Sequence, residues 1–598
     1  MDWKKYKGRG MEFLFSKTDK EIFTWEELTQ DHLLFYETTL RFIKEEVEPV
    51  VEEIDGHKQG LLRSLLRKAG ELGLLAPDSP EEYGGLALDK TTTMVITEAV
   101  SYGLSGAFTA AYGAHTGIGT LPILFFGTEA QKRKYLTKLI TGEYIGCYAL
   151  TEAGSGSDAL SIKTKAKLSD DGRYYILNGE KMFITNSGFA DIAIVFAKVD
   201  GKDFSCFIVE MGQEGVSTGA EENKMGIKGS STRTLILEDV KVPVENLLYK
   251  IGEGHVIAFN VLNVGRYKLG IGCLGGIKRL IKECSSYAKE RKQFGRSISD
   301  FRAIREKIAK MALLAFSLES IGYRVAGLID GGISEFDKSS EDYQRNVVEV
   351  IKEFAIEASI MKVFGSEALD ISADEAVQLF GGYGYIHDYI VERAYRDSRI
   401  NRIFEGTNEI NRLLIPGMIL RRSMKGEVPL MKFFFKVRDE LDGKEPSPKK
   451  GEGLWDEYRF ISDMVKRGVV YIFGNAVQRY MAKLKEPEYQ LILMRIADMI
   501  IETFKIDSVV LRGEKFIKRF GEERGRIVKN LVTLQLYRSL EEIERLGEEV
   551  IVNIMPEDRI DITLSNFKKL IPEFRVNTFK LIDSISEHIL SREKYSLY

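Results

Sequence analysis

A short stretch in the second half of the sequence, 402–410, is the strongest candidate for chemistry. It has the sequence RIFEGTNEI and lies where a basic, helix-like segment gives way to a strongly apolar helical one. Glu405 is followed directly by Gly406 and Thr407, so a carboxylate is predicted on a corner of the backbone, where it could face a cavity. Taken alone, the stretch has a plainer interpretation, in which Gly406 caps one helix and Thr407 or Asn408 begins the next.

A loop rich in glycine and serine, 151–158, is a second candidate. Its sequence TEAGSGSD follows the apolar run 145–150. Glycines let the backbone approach a ligand closely, and hydroxyl and N–H groups can bind polar or anionic groups. The strand and helix that flank a dinucleotide-binding GxGxxG motif are missing, so the loop does not predict that fold. By itself such a stretch is more often an ordinary loop.

Two further glycine-containing segments end predicted helices. In RKQFG, 291–295, Arg291 is either a solvated helix end or an arginine that grips a pyrophosphate with two hydrogen bonds. In QLFGGYGY, 378–385, two adjacent glycines exceed what helix capping requires. They indicate that a flat ligand or another chain passes close by.

Length and composition bound the class of protein. A chain of 598 residues is too long for one core and should hold roughly three to five packing units. The apolar share of 44% and the net charge of -4 are typical of a soluble globular protein and argue against a nucleic acid partner. The four cysteines lack CxxC spacing and the six histidines are dispersed. We therefore predict a cytoplasmic protein with no metal site, no signal peptide and no transmembrane segment.

The pattern along the chain predicts helices, then a β module, then helices again. The β module depends on runs such as 174–185, predicted as two strands joined by a turn at Asn178 and Gly179. Proline, glycine and charge in 441–453 predict a linker. The predicted units are an N-terminal arm (1–30), a helical domain (31–144), an all-β middle domain (145–250), a helical bundle (251–425), a linker (426–453) and an additional helical domain (454–598).

Together these motifs resemble one family, the FAD-dependent acyl-CoA dehydrogenases. The TEAGSGSD loop, the strand 183–185, RKQFG, QLFGGYGY and IFEGTN occur in the order and spacing of that family. The resemblance covers 31 to about 420, and the additional C-terminal helical domain is similar to the very-long-chain branch. It implies a mainly α fold with a central β-barrel: an N-terminal helical domain, a β-barrel middle domain and a C-terminal four-helix bundle.

The resemblance also implies a mechanism. Glu405 would remove the α-proton of an acyl thioester while the β-hydrogen leaves as hydride to the flavin. Such a base must be desolvated, with its pKa raised toward neutrality. A flavin ribityl hydroxyl and the backbone N–H of Glu405 would stabilise the enolate oxygen. Some relatives carry the base on the segment 263–267 instead, but that position is Gly265 here, so Glu405 has no rival.

The resemblance also implies the contacts of cofactor and substrate. Those of FAD are Tyr148, Leu150, Thr151, Gly156, Ser157, Phe183, Ile184, Thr185, Arg291, Gln293, Phe294, Gln378, Leu379, Gly381, Gly382, Thr407 and Glu409. Those of the acyl-CoA are Ser157, Asn263, Arg266, Phe404 and Gly406. Arg291, Gln293, Gln378, Gly381 and Gly382 would reach FAD from a neighbouring subunit. Phe183 stands where tryptophan is common in the family, which is a conservative aromatic change.

The implied function is desaturation of a medium- to very-long-chain acyl-CoA to the trans-2-enoyl-CoA in fatty acid β-oxidation, with an electron-transfer flavoprotein as acceptor. An acyl-CoA oxidase and a non-catalytic assembly protein on the same scaffold are the alternatives. A homo-oligomer is expected, and a dimer is favoured because the added domain could cover the face that tetrameric relatives use. The basic and apolar stretch 419–436 predicts either peripheral membrane contact or a strap packed between domains.

Overall fold

The computed structural model describes residues 10–597, so the first nine residues of the predicted arm lie outside the described residues. The rest of the arm packs on the body of the protein, with Met11 and Leu14 fully buried. The hydroxyl of Thr18 donates to the carboxylate of Asp507, near the other end of the chain, at 2.8 Å. The α-helices before the sheet are α1 (Glu12–Phe15), α2 (Gln30–Phe42), α3 (Val51–Asp55), α4 (Leu61–Glu71), α5 (Lys90–Tyr102), α6 (Gly106–Gly113), α7 (Leu121–Phe126), α8 (Glu129–Gln131) and α9 (Thr137–Ile140).

The middle of the chain forms an eight-stranded sheet. Its strands are β1 (Gly146–Ala149), β2 (Lys165–Leu168), β3 (Tyr174–Thr185), β4 (Ile192–Val199), β5 (Asp203–Glu210), β6 (Val216–Thr218), β7 (Thr232–Pro243) and β8 (Leu247–Leu248). They are hydrogen-bonded in the order β6-β7-β3-β2-β4-β5-β8, and β1 pairs in parallel with β4. One side of the sheet packs its own core, which includes Leu177, Val195 and Phe207.

The predicted turn at Asn178 and Gly179 is wrong, because β3 runs through it as one strand. The pairing of β3 with β7 continues past this point, with a shift in register between Leu177 and Gly179. Gly179 has φ 153°, and a Cβ there would lie 2.5 Å from the hydroxyl oxygen of Thr164. The glycine therefore permits a close approach of two backbone segments. An Asn-Gly pair can mark such an approach as well as a hairpin turn.

Long helices follow the sheet and form a bundle. They are α10 (Gly254–Glu290), α11 (Arg302–Ile333), α12 (Tyr343–Glu353), α13 (Ala355–Phe380), α14 (Ile390–Ser398) and α15 (Asn408–Met424), with the short strands β9 (Lys292–Gln293) and β10 (Arg296–Ser297) between α10 and α11. Helix α10 crosses α13 and α5 at glycines. A Cβ at Gly270 would lie 2.8 Å from the Met361 carbonyl oxygen, and one at Gly275 would lie 2.0 Å from that of Glu98. These glycines let α10 pack closely against α13 and α5.

The predicted linker, 426–453, is wrong over its first half, because Leu430–Leu441 forms helix α16. Leu430, Phe434 and Val437 recur at helical spacing and are fully buried. The guanidinium of Arg467 also holds the carboxylate of Glu440 at 2.8 Å. The prolines and charges that predicted a linker belong to 442–453, which carries no helix or strand.

The remaining helices form an additional helical unit that packs on α11 and α15. They are α17 (Leu454–Tyr480), α18 (Gln490–Phe520), α19 (Arg526–Ile554), α20 (Glu557–Leu570) and α21 (Thr578–Arg592). Within the described residues, α11 alone is long and apolar enough to cross a membrane. Its most apolar window is 83% buried inside the protein, as in the core helix of a folded domain.

Candidate functional site

Glu405 lies on a backbone corner that the surrounding side chains hold in place. It has φ 58°, and Gly406 after it has φ 78°. Thr407 caps helix α15, accepting a hydrogen bond from the N–H of Ile410, so this half of the plainer interpretation is confirmed. Gly406 does not cap the preceding short helix, whose C-cap is Ile403. The side-chain amide of Asn411 donates to the carbonyl oxygens of Gly406 at 2.9 Å and Thr407 at 3.0 Å. A non-glycine residue at positive φ is strained, and such strain persists where neighbouring contacts enforce it.

Helix α10 supplies the space that the Glu405 carboxylate occupies. A Cβ at Gly265 would lie 2.5 Å from Oε2 of Glu405. On the next residue of the helix, Nε of Arg266 donates to the carbonyl oxygen of Glu405 at 3.4 Å. The guanidinium of Arg266 also donates to Oδ1 of Asn263 at 2.8 Å, which fixes its direction. Gly265 therefore makes room for the carboxylate, and Arg266 holds the backbone behind it.

The carboxyl group of Glu405 is prepared to gain and lose a proton near neutral pH. Its Oε2 is buried and accepts no hydrogen bond from any described residue. Burial raises the pKa of Glu405 to about 7, although the positive charges of Arg266 and Lys362 act to lower it. A carboxylate without a donor retains its full basicity toward a carbon acid, so this environment suits a general base.

Glu405 faces a cavity of about 190 Å³ between α5, α6 and α10. Small and apolar residues make up most of its wall, including Val100, Leu104, Ala110, Gly113, Gly117, Leu269, Gly272, Cys273, Gly276 and Leu369. The wall follows one face of α10 from Gly265 to Gly276. From Gly265 to Gly276 the helix rises about 16 Å along its axis. The carboxylate therefore stands at a long apolar cavity, where it could take a proton from a carbon next to an electron-withdrawing group.

The expected FAD contacts on β1, on the loop after it and on β3 form a first group, and two of its members lie near this cavity. Thr185 lines it, and the pKa of the Tyr148 hydroxyl is raised by burial and, to a smaller extent, by the charge of Glu405. Tyr148 and Leu150 are buried, whereas Thr151, Gly156, Ser157 and Phe183 are partly or fully exposed. The Ile184 side chain packs in the core of the sheet, so this residue offers a ligand only its backbone.

The residues of this first group fit a large, flat, polar cofactor. The buried hydroxyl of Tyr148 has no hydrogen-bond partner among the described residues. A Cβ at Gly156 would meet nothing within 4 Å, which leaves the loop open to a ligand. Phe183 is 58% exposed and has φ 59°, so an aromatic ring is held out from the sheet. An unpaired hydroxyl, an open glycine loop and a presented ring suit an isoalloxazine ring.

The second group of expected FAD contacts lies elsewhere on this chain. The Arg291 guanidinium stacks 5.4 Å from the ring centre of Tyr383, which brings RKQFG and QLFGGYGY together. Members of this group other than the buried Leu379 are exposed: Arg291, Gln293, Phe294, Gln378, Gly381 and Gly382. Gln378 is sixteen residues beyond Lys362 on α13, which corresponds to about 24 Å along the helix.

Three residues that support Glu405 were missed by reasoning from sequence. Lys362 is fully buried, and its ammonium donates to Oδ1 of Asn408 at 2.6 Å. Asn408 and Asn411 are buried in the first turn of α15, whereas the expected FAD contact Glu409 is exposed. The one available signal was Lys362 itself, a charge within the apolar run IMKVF. Among the described residues, no group of three or more metal-ligating side chains is placed to hold a metal ion.

Comparison with known proteins matches nearly the whole chain. Models described as the N-terminal, middle and C-terminal domains of acyl-CoA dehydrogenase match residues 29–143, 147–240 and 252–419. A further model, also described as an acyl-CoA dehydrogenase C-terminal domain, matches residues 464–569. The additional helical unit is thus matched by a model with an acyl-CoA dehydrogenase description.

Individual relatives agree with these models. A probable acyl-CoA dehydrogenase of Bacillus subtilis is 46% identical over 97% of both chains. The mitochondrial very long-chain specific acyl-CoA dehydrogenase of Homo sapiens is 39% identical over 65% of this chain and 60% of its own. A crystal structure of an acyl-CoA dehydrogenase complexed with FAD from Bacillus anthracis superposes with a TM-score of 0.95 at 46% identity, covering 98% of this chain and 99% of that one.

Proposed function

This chain belongs to the FAD-dependent acyl-CoA dehydrogenase family, and we propose that it desaturates a fatty acyl-CoA to the trans-2-enoyl-CoA with Glu405 as the α-proton base. The observation that carries the proposal is the Glu405 carboxylate, whose Oε2 is buried without a partner against a long apolar cavity. A scaffold role would not need such a carboxylate at the wall of a ligand-sized cavity, because burying it unpaired costs folding free energy.

The residues around Glu405 support a simple division of labour. Oε2 of Glu405 takes the proton from the α-carbon, so the C–H bond breaks and its electron pair enters the developing C=C bond. Arg266 and Asn411 hold the Glu405 carbonyl and the turn behind it, which keeps the carboxylate directed into the cavity. The backbone N–H of Glu405 donates to the thioester oxygen, where negative charge develops. FAD, when bound, supplies the acceptor for the β-hydrogen, which leaves as hydride.

Within the proposed range of medium- to very-long-chain substrates, the length of the cavity wall supports a medium- to long-chain acyl group. A wall of about 16 Å corresponds to about thirteen bonds of an extended chain at about 1.2 Å per bond. Gly113 and Gly117 line the cavity, and a Cβ at either would meet nothing within 4 Å, so the space beside them is open. Within this proposal the enzyme acts in β-oxidation and transfers its electrons to an electron-transfer flavoprotein.

The rate of flavin reduction by an acyl-CoA is expected to rise with pH and to level off above about pH 7. Only the ionised form of Glu405 can accept the α-proton, and the pKa of that group is raised to about 7. Below this value the rate should fall about tenfold per pH unit. Stopped-flow absorbance of the holoenzyme at acyl-CoA concentrations well below saturation measures this profile, because the second-order rate constant reports the pKa of the free enzyme. A rate independent of pH between 5.5 and 8 (a window of about one and a half units below and one above the midpoint) would exclude Glu405 as the base.

We also propose that two copies of the chain form a dimer that completes both FAD sites. Phe294 is 91% exposed, and Gly381 and Gly382 have open space where a side chain would be. Gln378, in the same exposed group, is about 24 Å along α13 from Lys362, whose charge acts on Glu405. We infer that these exposed groups contact the FAD bound by the other copy. Sedimentation of the holoenzyme should therefore give twice the mass of the chain. A monomer that retains FAD and activity would contradict the proposal.

A further inference from the structure

We propose that the additional C-terminal domain helps to position the catalytic turn, with Asp498 on α18 as a positioning residue for Glu405. The inference builds on the proposed function, since it assigns a role toward the same base. It is carried by an unbroken series of polar contacts from α18 to the residues that flank Glu405. The first contact joins α18 to α15, and the later ones join α15 to α13.

The series begins at the interface between the additional domain and the bundle. Oδ1 of Asp498 accepts a hydrogen bond from Nε of Arg412 on α15 at 2.7 Å. The two terminal nitrogens of the same guanidinium hold both carboxylate oxygens of Glu367 on α13, at 2.7 and 2.9 Å. Arg412 is thus fixed from two sides, and such a planar fork allows little rotation.

Glu367 in turn holds Asn408, which lies next to the turn at Glu405. Its Oε1, which accepts from Arg412, also accepts from the side-chain amide of Asn408 at 2.9 Å. The other end of that amide, Oδ1, accepts from the ammonium of Lys362 at 2.6 Å. Asn408 is buried and lies three residues after Glu405. Its orientation therefore depends on both Glu367 and Lys362.

The last step is electrostatic. Lys362 is fully buried, and its positive charge lowers the pKa of Glu405 against the larger effect of burial. The charged groups that act on Glu405 are Arg266 from α10 and Lys362 from α13. Those that act on Asp498 are Arg412, Glu367 and Glu502. Of these, Arg412 and Glu367 belong to the series that ends at Lys362.

The alternative is that Asp498 and Arg412 only fasten one domain to the other. A fastening contact would change stability and leave the base unaffected. The chain offers a matched control for this alternative within the additional domain. Nε of Arg495 on α18 pairs with the carboxylate of Glu549 on α19 at 2.8 Å, the same type of contact at nearly the same distance. Among the described residues, neither partner forms a hydrogen bond with the series that leads to the turn.

The test compares Asp498→Asn with Glu549→Gln in the FAD-loaded enzyme. For Asp498→Asn we expect flavin reduction by an acyl-CoA at pH 7 to slow by about threefold to tenfold. We also expect the acidic limb of the pH profile to move to higher pH, because a less firmly held Lys362 lowers the pKa of Glu405 less. Hydrogen exchange of the segment 404–411 should accelerate. Glu549→Gln should retain the wild-type rate, profile and exchange.

Two results would overturn the inference. One is that Asp498→Asn keeps the wild-type rate of flavin reduction, the wild-type pH profile and the wild-type hydrogen exchange of 404–411. The other is an equal change in both variants, which would mean a general loss of stability. If wild-type enzyme is reduced by no acyl-CoA, the proposed function fails instead. The exchange comparison would still decide whether α18 constrains the turn, so the two failures are distinguishable.

Discussion

Glu405→Gln is expected to slow the reduction of bound FAD by an acyl-CoA about a thousandfold, within the range of roughly 10² to 10⁴ that general-base catalysis contributes. Glutamine keeps the size of the side chain but cannot accept the α-proton. The variant should retain FAD and still bind acyl-CoA, because the cavity and its backbone contacts are unchanged. Stopped-flow absorbance of the flavin, with substrate affinity measured separately, checks both expectations.

Glu357→Gln is the matched control for this variant. Glu357 is also a buried carboxylate whose pKa is raised to about 7, again mainly by burial. It lies at the N-terminal arm, where its carboxylate accepts the N–H of Met11, and it does not line the cavity. Its replacement should leave flavin reduction near the wild-type rate. Similar losses in both variants, or activity retained in Glu405→Gln, would contradict the assignment of the base.

Gly265→Ala is expected to slow flavin reduction by about 10²-fold, the cost typical of misplacing a catalytic group by about 1 Å. The new Cβ would lie 2.5 Å from Oε2 of Glu405 and 2.7 Å from its Cδ, so the carboxylate must move. Alanine is the better helix former by about 0.5–1 kcal/mol, so the loss should occur without a lower melting temperature. Parallel measurements of rate and thermal unfolding separate the two effects.

Gly331→Ala on α11 is the control for the change of residue type. A Cβ at this position would meet nothing within 4 Å. Gly331→Ala should therefore gain the same helix propensity as Gly265→Ala, and it should keep the wild-type rate because the new methyl group does not contact Glu405. If Gly265→Ala behaves like Gly331→Ala and keeps the wild-type rate, the proposed packing of Glu405 against α10 is wrong.

The backbone corner at Glu405 could be predicted from sequence, and the glycine-containing motifs could be singled out, because each combines rare residue types at fixed spacing. The helix-capping role of Thr407 follows from local rules that depend on a few neighbouring residues. The resemblance to a family added the function, which local rules do not contain. Gly265 shows the benefit of combining local rules with the family resemblance. Its lack of a side chain indicates room for a carboxylate only once Glu405 is the expected base.

Other features depend on contacts between distant segments, and the sequence pattern alone does not contain them. Asn178 and Gly179 have the composition of a hairpin turn, yet both lie inside strand β3. There the glycine lets the backbone pass close to Thr164 on a neighbouring segment. Helix α16 was hidden because the charged segment after it dominates the composition of that region. The polar series from Asp498 to Lys362 joins residues more than a hundred positions apart, so only the packed helices bring it together.

The central claim is that Glu405 and bound FAD desaturate a fatty acyl-CoA. Its most direct test is an anaerobic titration of the FAD-loaded enzyme with saturated acyl-CoAs of increasing chain length, following the flavin absorbance and the acyl products. We predict that medium- to long-chain thioesters bleach the flavin and yield the trans-2-enoyl-CoA, and that Glu405→Gln shows neither change. If no thioester of any length reduces the wild-type flavin, the claim is contradicted.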